Sequence, residues 1–241
     1  MVYGVILAGG IGSRMGNAEK PKQYLQVGDK PIIVHTVEKM YVHPDIEQVI
    51  VLCPAQWVSY TKTLLKKFVP EAAGIVVLEG GSTRNETIMN AVSYIERQGK
   101  LDDDTIIVTH DSVRPFITHR IISENVQYAK SYGACDTVIP ASDTIVESMD
   151  GKVISTIPDR SKMYQGQTPQ SFRAKKLKEL YESLSQQEKE ILTDAAKIFA
   201  IKGEKVHLVL GEVSNIKITY PYDLRVAEAL IFSDSKIMQG Q

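Results

Sequence analysis

Apolar residues gather in five short runs at positions 3–8, 48–53, 75–78, 105–109 and 137–139, each rich in Val and Ile and bounded by turn residues. Continuous apolar runs of this length predict strands buried on both faces. Between them, residues 31–41, 55–68, 83–97 and 118–130 carry apolar positions at helical spacing, and Pro31 suits a first helical position. Strand–helix alternation predicts an α/β fold in three layers, with a mostly parallel, Rossmann-like sheet and right-handed crossovers.

The alternation changes after Pro140. Residues 144–148 and 152–156 alternate around Asp150-Gly151, a strong hairpin signal. The segment 142–160 is therefore expected to form a β-hairpin arm protruding from a single domain that spans 1–241. Whether it lies along its own sheet edge or docks on a second copy stays open at this level. Helices are predicted at 174–183 and 185–200, strands at 206–210 and 215–219, and a closing helix at 221–232.

Composition narrows the function. With 28 basic and 29 acidic residues the net charge is −1, without the basic excess of nucleic-acid binders. No apolar run reaches the length of a membrane span, and Val2 to Ala8 reads as a first strand rather than a signal peptide. Cys53 and Cys135 form no C-x-x-C pair and read as core residues in a reducing compartment. A cytoplasmic protein with neither nucleic-acid nor membrane partners is expected.

The chemistry begins after the first strand, at Leu7-Ala8-Gly9-Gly10-Ile11-Gly12-Ser13-Arg14-Met15-Gly16, followed by Lys20-Pro21-Lys22-Gln23. A glycine-rich loop at a strand's carboxyl end lets backbone N–H groups converge on an anion. Arg14 and Lys22 add positive charge there, so oligophosphate is the expected ligand. The dinucleotide fingerprint fails, because Met15 stands where its third glycine is needed, and no register supplies a Walker A loop.

This loop resembles the signature of sugar-phosphate nucleotidyltransferases. The Pro21-Lys22-Gln23 variant resembles their cytidylyltransferase branch, which handles 2-C-methyl-D-erythritol 4-phosphate or D-ribitol 5-phosphate. Four further segments match that branch in order: Gly80-Gly81-Ser82-Thr83-Arg84, His110-Asp111-Ser112-Val113-Arg114-Pro115, the Asp143-Thr144 to Gln167-Thr168-Pro169-Gln170 stretch with Asp159-Arg160, and Asn215-Ile216-Lys217-Ile218-Thr219. The resemblance runs from Leu7 to about Tyr222 and implies a nucleotidyltransferase sheet and a homodimer made through the arm.

It also implies site residues. Arg14, Lys22, Arg160 and Lys217 would be catalytic. Leu7, Ala8, Gly9, Gly10, Gly12, Gly81, Ser82, Thr83, Arg84, Thr87, Asp111 and Ser112 would bind CTP. Arg114, Asp143, Thr144, Arg160, Thr168 and Lys217 would bind the acceptor. Mg²⁺ would bridge the triphosphate, with Asp111 as its candidate protein ligand. Read without the resemblance, Gly80–Arg84 fits a simple N-capped helix start, Asp111 and Arg114 fit an ion pair, and His110 is structural.

Three departures from the methylerythritol pattern favour ribitol 5-phosphate: Ser112-Val113 in place of Ala-Ala, Tyr164 in place of Trp, and the run Thr83 to Asn90. CDP-ribitol for teichoic-acid synthesis would be the product, with methylerythritol cytidylyl transfer as the alternative. Two other classes compete. A nucleotide-sugar glycosyltransferase needs an Asp-x-Asp motif after a strand, whereas Asp102-Asp103-Asp104 precedes one. An inactive nucleotide-binding regulator would lack the cationic set.

Overall fold

The computed structural model describes residues 1–10, 20–70 and 74–239, with the side chains of the closing helix through residue 232. The chain runs β1 (Val2–Leu7), β2 (Gln26–Val27), β3 (Lys30–Pro31), α1 (Ile32–Tyr41), β4 (Gln48–Cys53), α2 (Val58–Phe68), β5 (Ile75–Glu79), α3 (Arg84–Arg97), β6 (Ile106–Asp111) and α4 (His119–Tyr132). It continues β7 (Ala134–Pro140), β8 (Tyr164–Arg173), α5 (Ala174–Glu182), α6 (Gln186–Glu190), α7 (Ala196–Ile201), β9 (His207–Leu210) and α8 (Pro221–Gln239).

Seven strands form one sheet in the order β5-β4-β1-β6-β8-β7-β9, and β8 alone runs antiparallel to its neighbours. Alternate strand residues feed two cores. Val2, Ile6, Val49, Val51, Ile106, Val108 and Cys135 pack with α1, α2 and α4 on one face. Tyr3, Val5, Ile50, Leu52, Ile107 and Phe172 pack with α3, α5 and α7 on the other. Both faces are covered, which is why the strands read as unbroken apolar runs. The chain leaves β1 for β4 and β5, then returns to β6 on the other side of β1. The strand order therefore reverses between β1 and β6, and open sheets of this kind bind ligands at the carboxyl ends flanking such a reversal.

Four sequence expectations change. Strand β8 was not anticipated, because most of its buried side chains are polar. Residues 215–219 form no sheet strand. They run as an extended segment on Val113, with Ile218 N–H donating to Val113 O at 2.9 Å. The helix expected over 185–200 breaks into α6 and α7, with the residues between them outside any helix. The arm between β7 and β8 has two limbs joined by a single antiparallel bridge, Glu147–Thr156, rather than by a ladder. Its turn forms as expected: Asp150 Oδ1 accepts from the N–H groups of Lys152 and Val153 at 2.8 and 3.0 Å, and Gly151 takes φ +71°. A ladder lacks support because the arm's apolar residues are left exposed among the described residues. Met149 is 84% exposed and Val153 67%.

Candidate active site

A cleft of about 360 Å³ opens where β1 and β6 end, lined among others by Gly9, Gly10, Lys22, Arg84, Asp111 and Lys217. Leu7 and Asp111 are register partners in adjacent strands, so the glycine loop and Asp111 leave the sheet side by side. Gly12 and Arg14 lie outside the described residues. Of the loop's described glycines, Gly9 and Gly10 border the cleft, and a Cβ on either would meet no atom within 4 Å among the described residues. Side chains there would project into space the ligand needs.

Lys22 sits in a 3-10 turn, Lys22–Tyr24, started by Pro21. Two contacts fix that turn. Gln23 Nε2 donates to Ala8 O at 2.7 Å, tying it to the end of β1. Tyr24 stacks on Trp57 with ring centroids 5.0 Å apart and shares a hydrogen bond with Thr61 at 2.8 Å. Ala8 itself is buried, so its contribution is this carbonyl anchor.

The Gly80–Arg84 segment turns out to be a helix cap that also forms the cleft wall. Thr83 Oγ1 accepts from Glu86 N–H at 3.1 Å, while the Glu86 carboxylate accepts from the N–H groups of Ser82 and Thr83. Gly81 N–H donates to Thr87 Oγ1 at 3.0 Å. These backbone donors are spent inside the cap, so they form no anion cradle. Ser82, Thr83, Arg84 and Thr87 still line the cleft. Gly81 is required by close approach: a Cβ would lie 2.8 Å from Glu86 C and 2.9 Å from Thr87 N.

Asp111 is the charge hub. It is buried, bonded to Arg84, and paired through Oδ2 with Lys217 Nζ at 2.8 Å, with Arg114 Nε 3.7 Å away. Burial would raise its pKa, but Arg84, Lys217 and Arg114 outweigh burial and hold it far below the usual carboxylate range. A hydrogen-bond relay orients this end of β6. Asp111 N–H donates to Thr168 Oγ1 at 3.2 Å, Thr168 meets His110 Nδ1 at 2.8 Å, and His110 Nε2 meets Arg114 O at 3.0 Å. The carbonyl can only accept, so Nε2 carries the proton and Nδ1 accepts from the threonine. Burial pushes His110 down to about 4, leaving it neutral and structural.

Lys217 is placed by its neighbours. Asn215 Nδ2 donates to Thr168 O at 2.9 Å and Arg114 donates to Asn215 O at 2.7 Å, while Ile218 is buried beside Val27, Ile32 and Val113. Lys217 then faces the cleft with its side chain 41% exposed. Arg114 is buried in this clamp, which makes it a scaffold residue. Thr168 likewise belongs to the relay.

The arm residues stand apart. Asp143, Thr144 and Arg160 are exposed, and Arg160 donates to Ser142 O at 3.1 Å. They do not line the cleft of their own chain. Sequence reasoning also passed over Gln23, Val113 and Thr219. Each of the three stood inside a quoted motif: Pro21-Lys22-Gln23, His110 to Pro115, and Asn215 to Thr219.

Asp111 is the one carboxylate lining the cleft among the described residues, and its oxygens face cations. No cluster of three His, Cys, Asp or Glu side chains suited to a metal occurs among the described residues. The donor set does not make a Mg²⁺ site by itself. No helix of the described residues is long and apolar enough to cross a membrane.

Solved structures with this architecture include 4-diphosphocytidyl-2C-methyl-D-erythritol synthase from Anaerococcus prevotii, at 26% identity with 96% of each chain covered and a TM-score of 0.77. The 2-C-methyl-D-erythritol 4-phosphate cytidylyltransferase of Thermus thermophilus is 27% identical over 94% of this chain and 97% of that one, with a TM-score of 0.69. Its counterpart from Francisella tularensis is 25% identical over the same shares, with a TM-score of 0.77. The family model described as IspD, 2-C-methyl-D-erythritol 4-phosphate cytidylyltransferase, matches residues 2–233, and with a cationic cleft at the sheet's reversal point this chain belongs to that family of cytidylyltransferases.

Proposed function

We propose that the protein transfers CMP from CTP to a short-chain polyol phosphate bound in this cleft, releasing pyrophosphate. The observation that carries the reading is the convergence of Lys22, Arg84 and Lys217 on one cleft beside the glycine loop. An acceptor phosphate monoester has a second pKa of about 6 and is largely a dianion at neutral pH. It needs no general base. One of its oxygens bonds to the α-phosphorus of CTP as the bond to the pyrophosphate oxygen breaks, in line. The obstacle is repulsion between anions, so catalysis rests on positioning and charge neutralisation.

In this reading Lys22 neutralises charge at the α-phosphate and the leaving group, as Arg14 was also expected to do. Lys217, steadied by Asp111, points its ammonium at the acceptor phosphate. Divalent ions serve enzymes of this family, and the oxygens suited to them are those of the triphosphate. No step here is routed through the metal.

Two acceptors remain in play. The family description and the Thermus and Francisella relatives name 2-C-methyl-D-erythritol 4-phosphate, and they support that acceptor better than the ribitol expectation. Ribitol 5-phosphate is favoured by Ser112 and Val113, which line the cleft where the methylerythritol pattern has two alanines. The acceptors differ by a few groups that pocket residues discriminate. Pyrophosphate release from CTP and Mg²⁺, with each acceptor offered in parallel, decides. Release with one alone assigns it, and release with neither removes the polyol-phosphate reading.

The arm suits contact with a second copy of the chain. Val146, Met149, Val153, Ile154 and Ile157 are exposed together on it, an unusual apolar concentration. Such pairing would offer Arg160 to the partner's acceptor phosphate. Arg160→Ala should raise the acceptor KM about tenfold or more, the worth of a charge-assisted contact, and leave the CTP Kd unchanged. Val153→Asp with Ile157→Asp should convert dimer to monomer in light scattering and raise the same KM. A variant that stays dimeric with normal KM would remove the arm from the assembly.

A further inference from the structure

Strand β8 is irregular where it passes the cleft. Gly166 pairs with Val138 of β7 and Gln170 with Asp136, so the stretch from Gln167 to Pro169 stands against Thr137 alone. A bulge of this kind re-aims side chains beside functional sites. Thr137 Oγ1 closes it by donating to Pro169 O at 2.7 Å. Two consecutive side chains leave the bulge for different partners. Thr168 joins the relay to His110 and Asp111. Gln167 is buried, does not line the cleft, and turns to the segment that follows β9.

There its amide makes two bonds. Nε2 donates to Glu212 O at 2.8 Å, and Oε1 accepts from Asn215 Nδ2 at 3.2 Å. A carbonyl can only accept, so the nitrogen faces Glu212 and the oxygen is left for Asn215. Glu212 O also accepts from Asn215 N–H at 3.0 Å, so one side chain clasps both ends of the turn 212–215. Gly211 makes room for it. A Cβ there would collide with Gln167 Oε1 and lie 3.2 Å from Gln167 Cδ and 2.9 Å from Thr137 Cγ2. Gly211 has no positive φ, so space alone calls for glycine here.

We propose that Gln167 is a positioning residue for Lys217, its amide holding the turn from which the lysine is aimed. A partly exposed lysine retains many rotamers, so its aim depends on a firmly held backbone. That backbone is pinned on both sides. Downstream, Ile218 N–H donates to Val113 O. Upstream, Asn215 is fully buried, with its carbonyl held by Arg114 and its side chain by Thr168 O and Gln167. Removing the Gln167 amide leaves buried polar groups of Glu212 and Asn215 with fewer partners, and the turn relaxes to recover them. Adjacent residues of one bulge thus back both members of the Asp111–Lys217 ion pair, Thr168 behind the carboxylate and Gln167 behind the ammonium.

The proposal rests on the reading that Lys217 meets the acceptor phosphate, and the test keeps the two apart. Gln167→Met fills the same space without either hydrogen bond, and Gln167→Asn carries the same amide one methylene short of its partners. Either variant should raise the acceptor KM about tenfold, the worth of one buried polar contact, because the ammonium is no longer held on its target. The CTP Kd should stay within about twofold, since the nucleotide contacts do not pass through this turn. Unchanged acceptor KM overturns the proposal. So does a CTP Kd that rises by the same factor, which marks general loosening of the cleft. Amide hydrogen exchange followed by NMR reads the turn directly on the same full-length proteins. Protection of the Ile218 N–H should fall about tenfold in the variants while that of Ile50 in β4 is unchanged. Equal protection of Ile218 in wild type and variants overturns the proposal. If the wild type transfers CMP to neither acceptor, the proposed function fails, and the exchange comparison still decides whether Gln167 holds the Lys217 segment. Should Gln167→Met not fold, Gln167→Asn carries both measurements.

Discussion

Lys22→Ala should lower kcat by about 10²–10³-fold while changing the Kd for CTP less than about fivefold, the behaviour of a contact made chiefly in the transition state. Lys22 is buried at the cleft wall, and its backbone belongs to a turn fixed by Gln23 on Ala8 O and by the Tyr24–Trp57 stack. A cation on so firm a base is preorganised for charge that develops as pyrophosphate leaves, and it pays little to reorganise. Lys22→Arg should restore little, because the guanidinium is larger and planar at a site with 8% exposure. Single-turnover rates and calorimetry on the same protein separate chemistry from binding. Turnover close to wild type would remove Lys22 from the mechanism. Weaker CTP binding at unchanged kcat would make it a ground-state ligand.

Asp111→Ala should destabilise the fold by about 3 kcal/mol or more and abolish activity together, since one carboxylate serves three cations. The loss comes mainly from Arg114, which is buried and would keep its charge without a counter-ion. Arg84 and Lys217 are partly exposed and contribute less. For a chain of 241 residues that loss corresponds to a fall in Tm of roughly 6–12 °C. Asp111→Asn should lose activity as well, while keeping the backbone relay from its N–H to Thr168. Thermal unfolding followed by circular dichroism checks the first effect and pyrophosphate release the second. Asp111→Ala with unchanged Tm would mean that Arg114 finds solvent or another partner and that the hub is not structural.

Much of the frame was legible in residue order. The runs at 48–53 and 75–78 became β4 and β5 almost without change, because strands covered on both faces must be apolar throughout. Pro31, Thr83 and Thr118 marked the starts of α1, α3 and α4 by local chemistry alone. Asp150-Gly151 made its turn for the same reason. The cleft motifs at Gly9-Gly10, Lys22, Asp111 and Lys217 were recognisable as a set, and they do meet.

Strand β8 was hidden because Gln167, Thr168, Gln170 and Ser171 are polar and yet buried. Their partners lie far off in sequence: Asn215 for Gln167, His110 for Thr168, Asp194 for Gln170, and Asn125 for Ser171. No periodicity along one segment encodes such pairing. The same limit hid the bond from Arg114 to the Asn215 carbonyl, whereas the N-capped helix start at Gly80–Arg84 was legible because its partners lie within a few residues.

The sequence by itself therefore determined the strand–helix alternation, the helix caps, the arm's turn and the identity of the cleft's charged groups. The first three follow from a residue and its neighbours within about four positions, and the charged groups from the resemblance of motifs spread along the chain. Tertiary structure alone decided that Asp111 gathers Arg84, Arg114 and Lys217, and that the arm's Arg160 stays away from its own cleft. Those facts depend on which strands become neighbours, and strand order in a sheet is set by burial of the whole core rather than by any single segment.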